Sequence, residues 1–207
     1  MFIELIDGLR CTADHRSICL VAAIQEREDR QVIEGTLGCP TCRLEYPIHG
    51  GIVSFGAGLK TDPTTASDDS PDPEGALRVG AFLAVTEGIT IALVGEWARY
   101  ASAVSDLVGL RVFAINPSAV VTESERVGVL QSDNRLPFKA GSLRGVAIDA
   151  SGWSDADVAR STHALAAGGR LVAPGSTAVP DDIEEIARDD AYWVGEKRGA
   201  LVTLRRR

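Results

Sequence analysis

The sequence predicts an α/β protein: a doubly wound, largely parallel sheet preceded by a small β unit. Three observations carry this. Residues 90–118, TIALVGEWARYASAVSDLVGLRVFAINPS, read as a buried strand ending at Gly95, a helix with inward spacing over 99–108, and a second buried strand over 110–115. The same alternation of short apolar runs and helical patterns continues to the end of the chain. All four cysteines, Cys11, Cys19, Cys39 and Cys42, fall within the first 42 residues, so the two ends of the chain are built differently.

With 207 residues the chain has room for one ordinary domain and a small one. Its 45% hydrophobic and 24% charged residues are those of a globular protein. No apolar run approaches the ~20 residues of a membrane span. The start, MFIELIDGLRC, lacks the basic, then apolar, pattern of a secretory signal, so a cytoplasmic location is expected. A net charge of −8 argues against nucleic acid, whose phosphates need a basic face. The basic tail Arg205-Arg206-Arg207 reads as a solvated end.

The first unit, 1–58, holds an apolar run over 18–24, a charged turn over 25–30 and a return strand over 31–37. So short a piece has too little core to stand alone, and a metal would staple it. Cys39-x-x-Cys42, in a turn shaped by Gly38 and Pro40, is a strong half-site for tetrahedral zinc. The other half is Cys11 with His15, chosen because imidazole suits zinc; Asp14 is the substitute, and Cys19 is expected to face the small core. Four protein ligands make such a site structural. The competing reading is a ribbon that has lost its metal and holds by packing.

Residues 59–76, LKTDPTTASDDSPDPEGA, are rich in proline, acids and small residues, and read as a solvated linker or surface strap. The second unit, 77–207, is expected to hold helices over 77–85 (Leu77, Val79, Phe82 and Leu83 inward), 99–108, 155–167 and 180–188. Its seven strands are expected over 89–94, 111–115, 127–131, 145–149, 170–173, 191–194 and 200–204. Trp153 and Trp193 read as packing residues and His163 as a surface one.

Two resemblances follow. GTLGCPTCRLEYPIHGGIVSF, with Cys39, Cys42, Tyr46, Pro47, Ile48, Gly51 and Ile52, resembles the end of the small zinc-ribbon family that activates tRNA, rRNA and release-factor methyltransferases. Its first knuckle departs, reading CTADH. That resemblance implies a ribbon that binds and stabilises a methyltransferase domain, in the family one on a separate chain. In the second unit, the SDNRLPFKAGSL segment from Ser132, the HALAAGGRLV corner from His163 and the strand end FAINPS from Phe113 resemble class I S-adenosylmethionine-dependent methyltransferases. The fold this implies is a Rossmann-like, seven-stranded methyltransferase-type sheet behind an N-terminal zinc ribbon.

That family also implies a cofactor site, at Gly95, Glu96, Asn116, Asp133 and Asn134. The site is altered. Where the family has a run of glycines after the first strand, this chain keeps only Gly95, beside Glu96 and Trp97. Glu96 sets a negative charge near the place of the cofactor's carboxylate. Asn116 stands where an acid accepts both ribose hydroxyls, and only Asp133 keeps the position that meets the adenine amine. Asp133 and Asp149 also read as plain turn formers. No catalytic residue, Ser-His-Asp or Cys-His arrangement, or P-loop is evident.

The expectation is a methyltransferase-like protein with lost or weakened S-adenosylmethionine binding, a pseudoenzyme acting as a binding or regulatory partner. Its partner would be another protein, a methyltransferase or a second copy of itself. The alternatives are an active methyltransferase with an atypical pocket, and a pocket turned to another ligand.

Overall fold

In a computed structural model the described residues are 1–56, 72–149 and 152–199. The strand expected over 200–204, the tail arginines and most of the expected linker lie outside them. The elements run α1 (Ile3–Ile6), β1 (Val21–Glu28), β2 (Gln31–Gly38), β3 (Glu45–His49), β4 (Ile52–Phe55), α2 (Pro73–Leu83), β5 (Thr90–Val94), α3 (Ala101–Val108), β6 (Arg111–Ile115), β7 (Val127–Ser132), β8 (Leu143–Ala147), α4 (Asp155–Ser161), β9 (Leu165–Pro174), β10 (Ile183–Arg188) and β11 (Tyr192–Lys197). A 3-10 turn, Gly95–Tyr100, joins β5 to α3.

All eleven strands form one sheet, in the order β1-β2-β3-β4-β7-β6-β5-β8-β9-β11-β10. Numbered from β5, the second unit reads 3-2-1-4-5-7-6, with its last strand, β11, antiparallel to both neighbours. This is the methyltransferase-type sheet expected, reached with two corrections. The helix expected over 180–188 is instead strand β10, so from β5 on the described residues hold seven strands, ending with β10 and β11. The sheet also exceeds seven strands, because the ribbon adds four: β4 pairs in parallel with β7, Val53 opposite Leu130 and Phe55 opposite Ser132.

The chemistry of each element explains its place. Ile91 to Val94 of β5, and the matching residues of β6 and β7, are buried on both faces, as central parallel strands must be. Asp72 caps α2 by accepting the Glu74 N–H, Pro73 sits in its first turn, and Val79 and Leu83 point inward. Leu77 does not; it is 58% exposed. Ser154 and Asp157 form a capping box on α4.

Two hydrophobic layers sandwich the sheet. One gathers α2, Trp97 and α3; the other gathers α1, Phe138, Leu143 and Val158. The second layer joins the two units, since Leu5 and Met1 lie directly against β7. A methyl group at Gly128 would stand 3.0 Å from Leu5 Cδ1 and 3.2 Å from Met1 Cε, so the bare backbone there is what lets the amino-terminal turn seat. Both outer strands are guarded. β1, exposed along its whole length, and β10 each carry a bulge and charged residues, which discourages pairing with another sheet.

Candidate functional site

The first candidate is a cluster of metal-ligand side chains. Cys11, His15, Cys39 and Cys42 bring one ligand atom each to within 4.8 Å of one another. Cys11 Sγ lies 3.5 Å from Cys42 Sγ, and Cys39 Sγ lies 3.4 Å from His15 Nε2. A zinc ion with bonds of about 2.3 Å to sulfur and about 2.0 Å to nitrogen has tetrahedral edges of about 3.5–3.8 Å, so the donor set fits that ion. His15 Nδ1 faces the Arg16 carbonyl at 2.7 Å. A carbonyl only accepts, so Nδ1 donates, and the lone pair of Nε2 is left toward the cluster.

The turn at Cys39 is held by two backbone bonds. Cys39 N–H donates to the Leu44 carbonyl and Arg43 N–H to the Cys39 carbonyl, each at 2.9 Å, with Arg43 in the left-handed region at φ 62°. Asp14 is exposed and outside the cluster, so the histidine is the member brought in. Cys19, expected in the small core, is exposed instead and forms a backbone bridge with Arg10.

Two residues around the cluster were not assigned to it from the sequence, where Tyr46 stood only as part of the ribbon resemblance and Arg135 only within the SDNRLPFKAGSL segment. Tyr46 Oη lies 3.1 Å from Cys11 Sγ and accepts the Thr12 N–H at 3.2 Å. Arg135, from the second unit, donates to the Thr12 carbonyl at 3.0 Å. Burial pushes the Cys11 thiol up, whereas the Leu44 N–H holds Cys42 below the usual thiol value.

The second candidate is the crevice where the strand order reverses, between β5 and β8, the place at which such sheets bind ligands. Gly95 ends β5 with φ 63°, and here glycine is required twice over. A methyl group at Gly95 would lie 2.1 Å from Asp149 Oδ2. Asp149, just beyond β8 and 4% exposed, reaches across and accepts the Glu96 N–H at 2.8 Å. The turn that would face a cofactor therefore faces this chain's own carboxylate.

Glu96, from which sequence alone expected the obstructing charge, turns outward: its side chain is 61% exposed, 4.0 Å from Arg99. Trp97 packs inward at 8% exposed, its ring centroid 4.8 Å from that of Tyr192, with Phe82 and Tyr100 beside it. Its indole N–H is buried without an acceptor among the described residues. Burial, then the nearby charges of Asp149 and Glu96, raise the Tyr192 phenol.

Asn116, Asp133 and Asn134 stand at the carboxyl ends of β6 and β7, on the same rim. Asn116, with φ 48°, donates from Nδ2 to the Ser132 carbonyl at 2.7 Å and accepts the Ser132 N–H at Oδ1, 2.8 Å. Both ends of the amide are thus engaged in clamping β6 to β7. Asn134 donates to the Gly152 carbonyl at 2.7 Å, and Asp133 is exposed.

No protein-family profile and no curated protein matches the sequence. Among solved structures, a putative S-adenosyl-L-methionine-dependent methyltransferase from Methanococcus maripaludis is similar, with 13% identity and a TM-score of 0.47, over 63% of this chain and 87% of that one. A chain from the complex between the Haloferax volcanii Trm112 methyltransferase activator and the putative methyltransferase gives 22% identity and 0.41, over 48% of this chain and 50% of that one. A putative methyltransferase from an antibiotic biosynthesis pathway of Anabaena variabilis gives 22% and 0.42, over 50% and 45%. The alignments with the last two span about half of those chains. Among the described residues, no helix is long and apolar enough to cross a membrane.

Proposed function

We propose that this chain is a methyltransferase-like protein that has lost useful affinity for S-adenosylmethionine and acts as a binding or regulatory partner of another protein. Its zinc ribbon is then a structural part of its own sheet. The observation that carries this reading is the Asp149 carboxylate seated on the Gly95–Glu96 turn. The cofactor's own carboxylate, brought to within ~4 Å of Asp149, would meet repulsion of about 1 kcal/mol in water and about 4 kcal/mol near a protein surface. At about 1.4 kcal/mol per factor of ten, the larger figure lowers affinity by nearly a thousandfold.

The Asn116 clamp adds to this, because a ribose hydroxyl would have to break a pair of hydrogen bonds inside the protein to gain one. The partner role rests on the ribbon's placement. Strand β4 is already taken up by β7 of the same chain, so the ribbon's sheet edge at β4 is used internally. The outer strand β1 is guarded against strand pairing, and what it leaves open to a partner are its exposed Val21 and Ile24 side chains.

Titration calorimetry of the zinc-loaded protein with S-adenosylmethionine and S-adenosylhomocysteine tests the reading. The expected result is no saturable heat up to the millimolar range. Micromolar binding of either compound would return the chain to the working methyltransferases.

A further inference from the structure

A cavity of about 250 Å³ lies between the first knuckle of the ribbon and the second unit, away from the Gly95 crevice. Thr12 and Ser17 supply its ribbon wall, Asn134 and Arg135 come from the turn after β7, and Arg160 and His163 come from the end of α4 and the turn that follows. Pockets at the junction of two units are favoured places for small ligands. Cys11 and His15 of the zinc cluster and Asn134 of the rim also line it, whereas Ser17 and Arg160 belong to neither of those sites.

The wall is rich in donors. Arg135 spends one N–H on the Thr12 carbonyl, and Arg160 spends one on Asp157 Oδ1 at 2.8 Å. Each guanidinium carries five N–H groups in a planar fork, so both keep donors to offer. Arg135 has no carboxylate partner among the described residues. His163 is not a donor to the cavity, because its ring nitrogens face the Arg160 and Phe138 carbonyls at 2.8 and 3.3 Å. The single carboxylate on the wall is Asp14, which is exposed. Arg160 is already paired with Asp157, so what the wall offers is the spare guanidinium N–H donors rather than a net positive charge.

We propose that this cavity binds a small oxyanion, a phosphate or a carboxylate group of a metabolite, held by the Arg135 and Arg160 guanidinium groups. Planar forks match both kinds of oxyanion through paired hydrogen bonds. The ligand would bridge the ribbon and the second unit, and so favour their joined state.

The test is calorimetry on the full-length, zinc-loaded protein at constant ionic strength, with inorganic phosphate in one arm and succinate in the other. Saturable binding of either is expected, weakened at least tenfold in Arg160→Gln and only partly in Arg160→Lys. Arg188→Gln, which lies outside the cavity, should leave it unchanged. Phosphate alone binding assigns a phosphate ester, and succinate alone a carboxylate. The proposal is overturned if neither anion binds saturably, or if Arg160→Gln, with zinc content and thermal melt unchanged, binds as the parent does.

Discussion

Replacing Gly95 by alanine tests the closed crevice most directly. The substitution does two separable things. It places a non-glycine residue at φ 63°, which costs roughly 1–2 kcal/mol. It also sets a methyl group 2.1 Å from Asp149 Oδ2, so the carboxylate must withdraw from the Glu96 N–H and lose a charge-assisted bond of about 1.5–3 kcal/mol. The sum is about 2.5–5 kcal/mol. At about 2–4 °C per kcal/mol for a chain of this size, the melting temperature should fall by about 5–20 °C.

Urea denaturation of Gly95→Ala, Asp149→Ala and the double variant separates the two parts. With the carboxylate gone, only the backbone strain remains, so the double variant should be more stable than additivity predicts, by about 1.5–3 kcal/mol. A Gly95→Ala cost below about 0.5 kcal/mol, or strict additivity, would refute the placement of Asp149 and with it the argument against the cofactor.

Elemental analysis should find one zinc per chain, lost in Cys39→Ser and kept in Asp14→Ala and Cys19→Ala; retention in Cys39→Ser would remove the four-ligand centre. Restoring the family's acid with Asn116→Asp should destabilise rather than help, by about 1–3 kcal/mol, since a carboxylate oxygen would then face the Ser132 carbonyl. A neutral or stabilising result in a melt would show that the amide is no clamp. Asp189 is held below its ordinary 3.8 by the Tyr192 N–H and then the Ala191 N–H. Its contribution is therefore complete above pH ~3.8 and is lost as pH falls through the lower folded value. Melts of the parent and Asp189→Asn should differ at pH 7 and converge as the pH falls below 3.8, and a gap that widens in acid would contradict this.

Much of the architecture was legible because buried parallel strands advertise themselves. Val112 to Ile115 and Val127 to Leu130 are apolar throughout and have no alternative to the interior. The error at 180–188 has a physical source. DDIEEIAR is made of good helix formers behind a proline, yet Ile183 alone points in, and the rest forms a charged edge strand fixed by β11. Local preference yielded to the sheet, as it commonly does in strands.

The four side chains that cluster, Cys11, His15, Cys39 and Cys42, are the ones that type and spacing pick out, with His15 preferred to Asp14 because imidazole suits zinc. The crevice was half legible. Sequence showed that side chains replace the glycines, but the carboxylate that seats on the Gly95–Glu96 turn comes from Asp149, 53 residues beyond Glu96, and no local pattern links the two.

The parallel pairing of β4 with β7 has a consequence for how the molecule is made. The ribbon leaves the ribosome before the strand it docks on, which is complete only some 75 residues after Phe55. Until then its outward edge has nothing to pair with. A nascent chain is thus exposed to wrong pairings, and early metal capture by the Cys39 knuckle would be its safeguard. Once closed, the arrangement has no subunit equilibrium to fall out of, so dilution that would part a ribbon from a separate scaffold leaves this one intact.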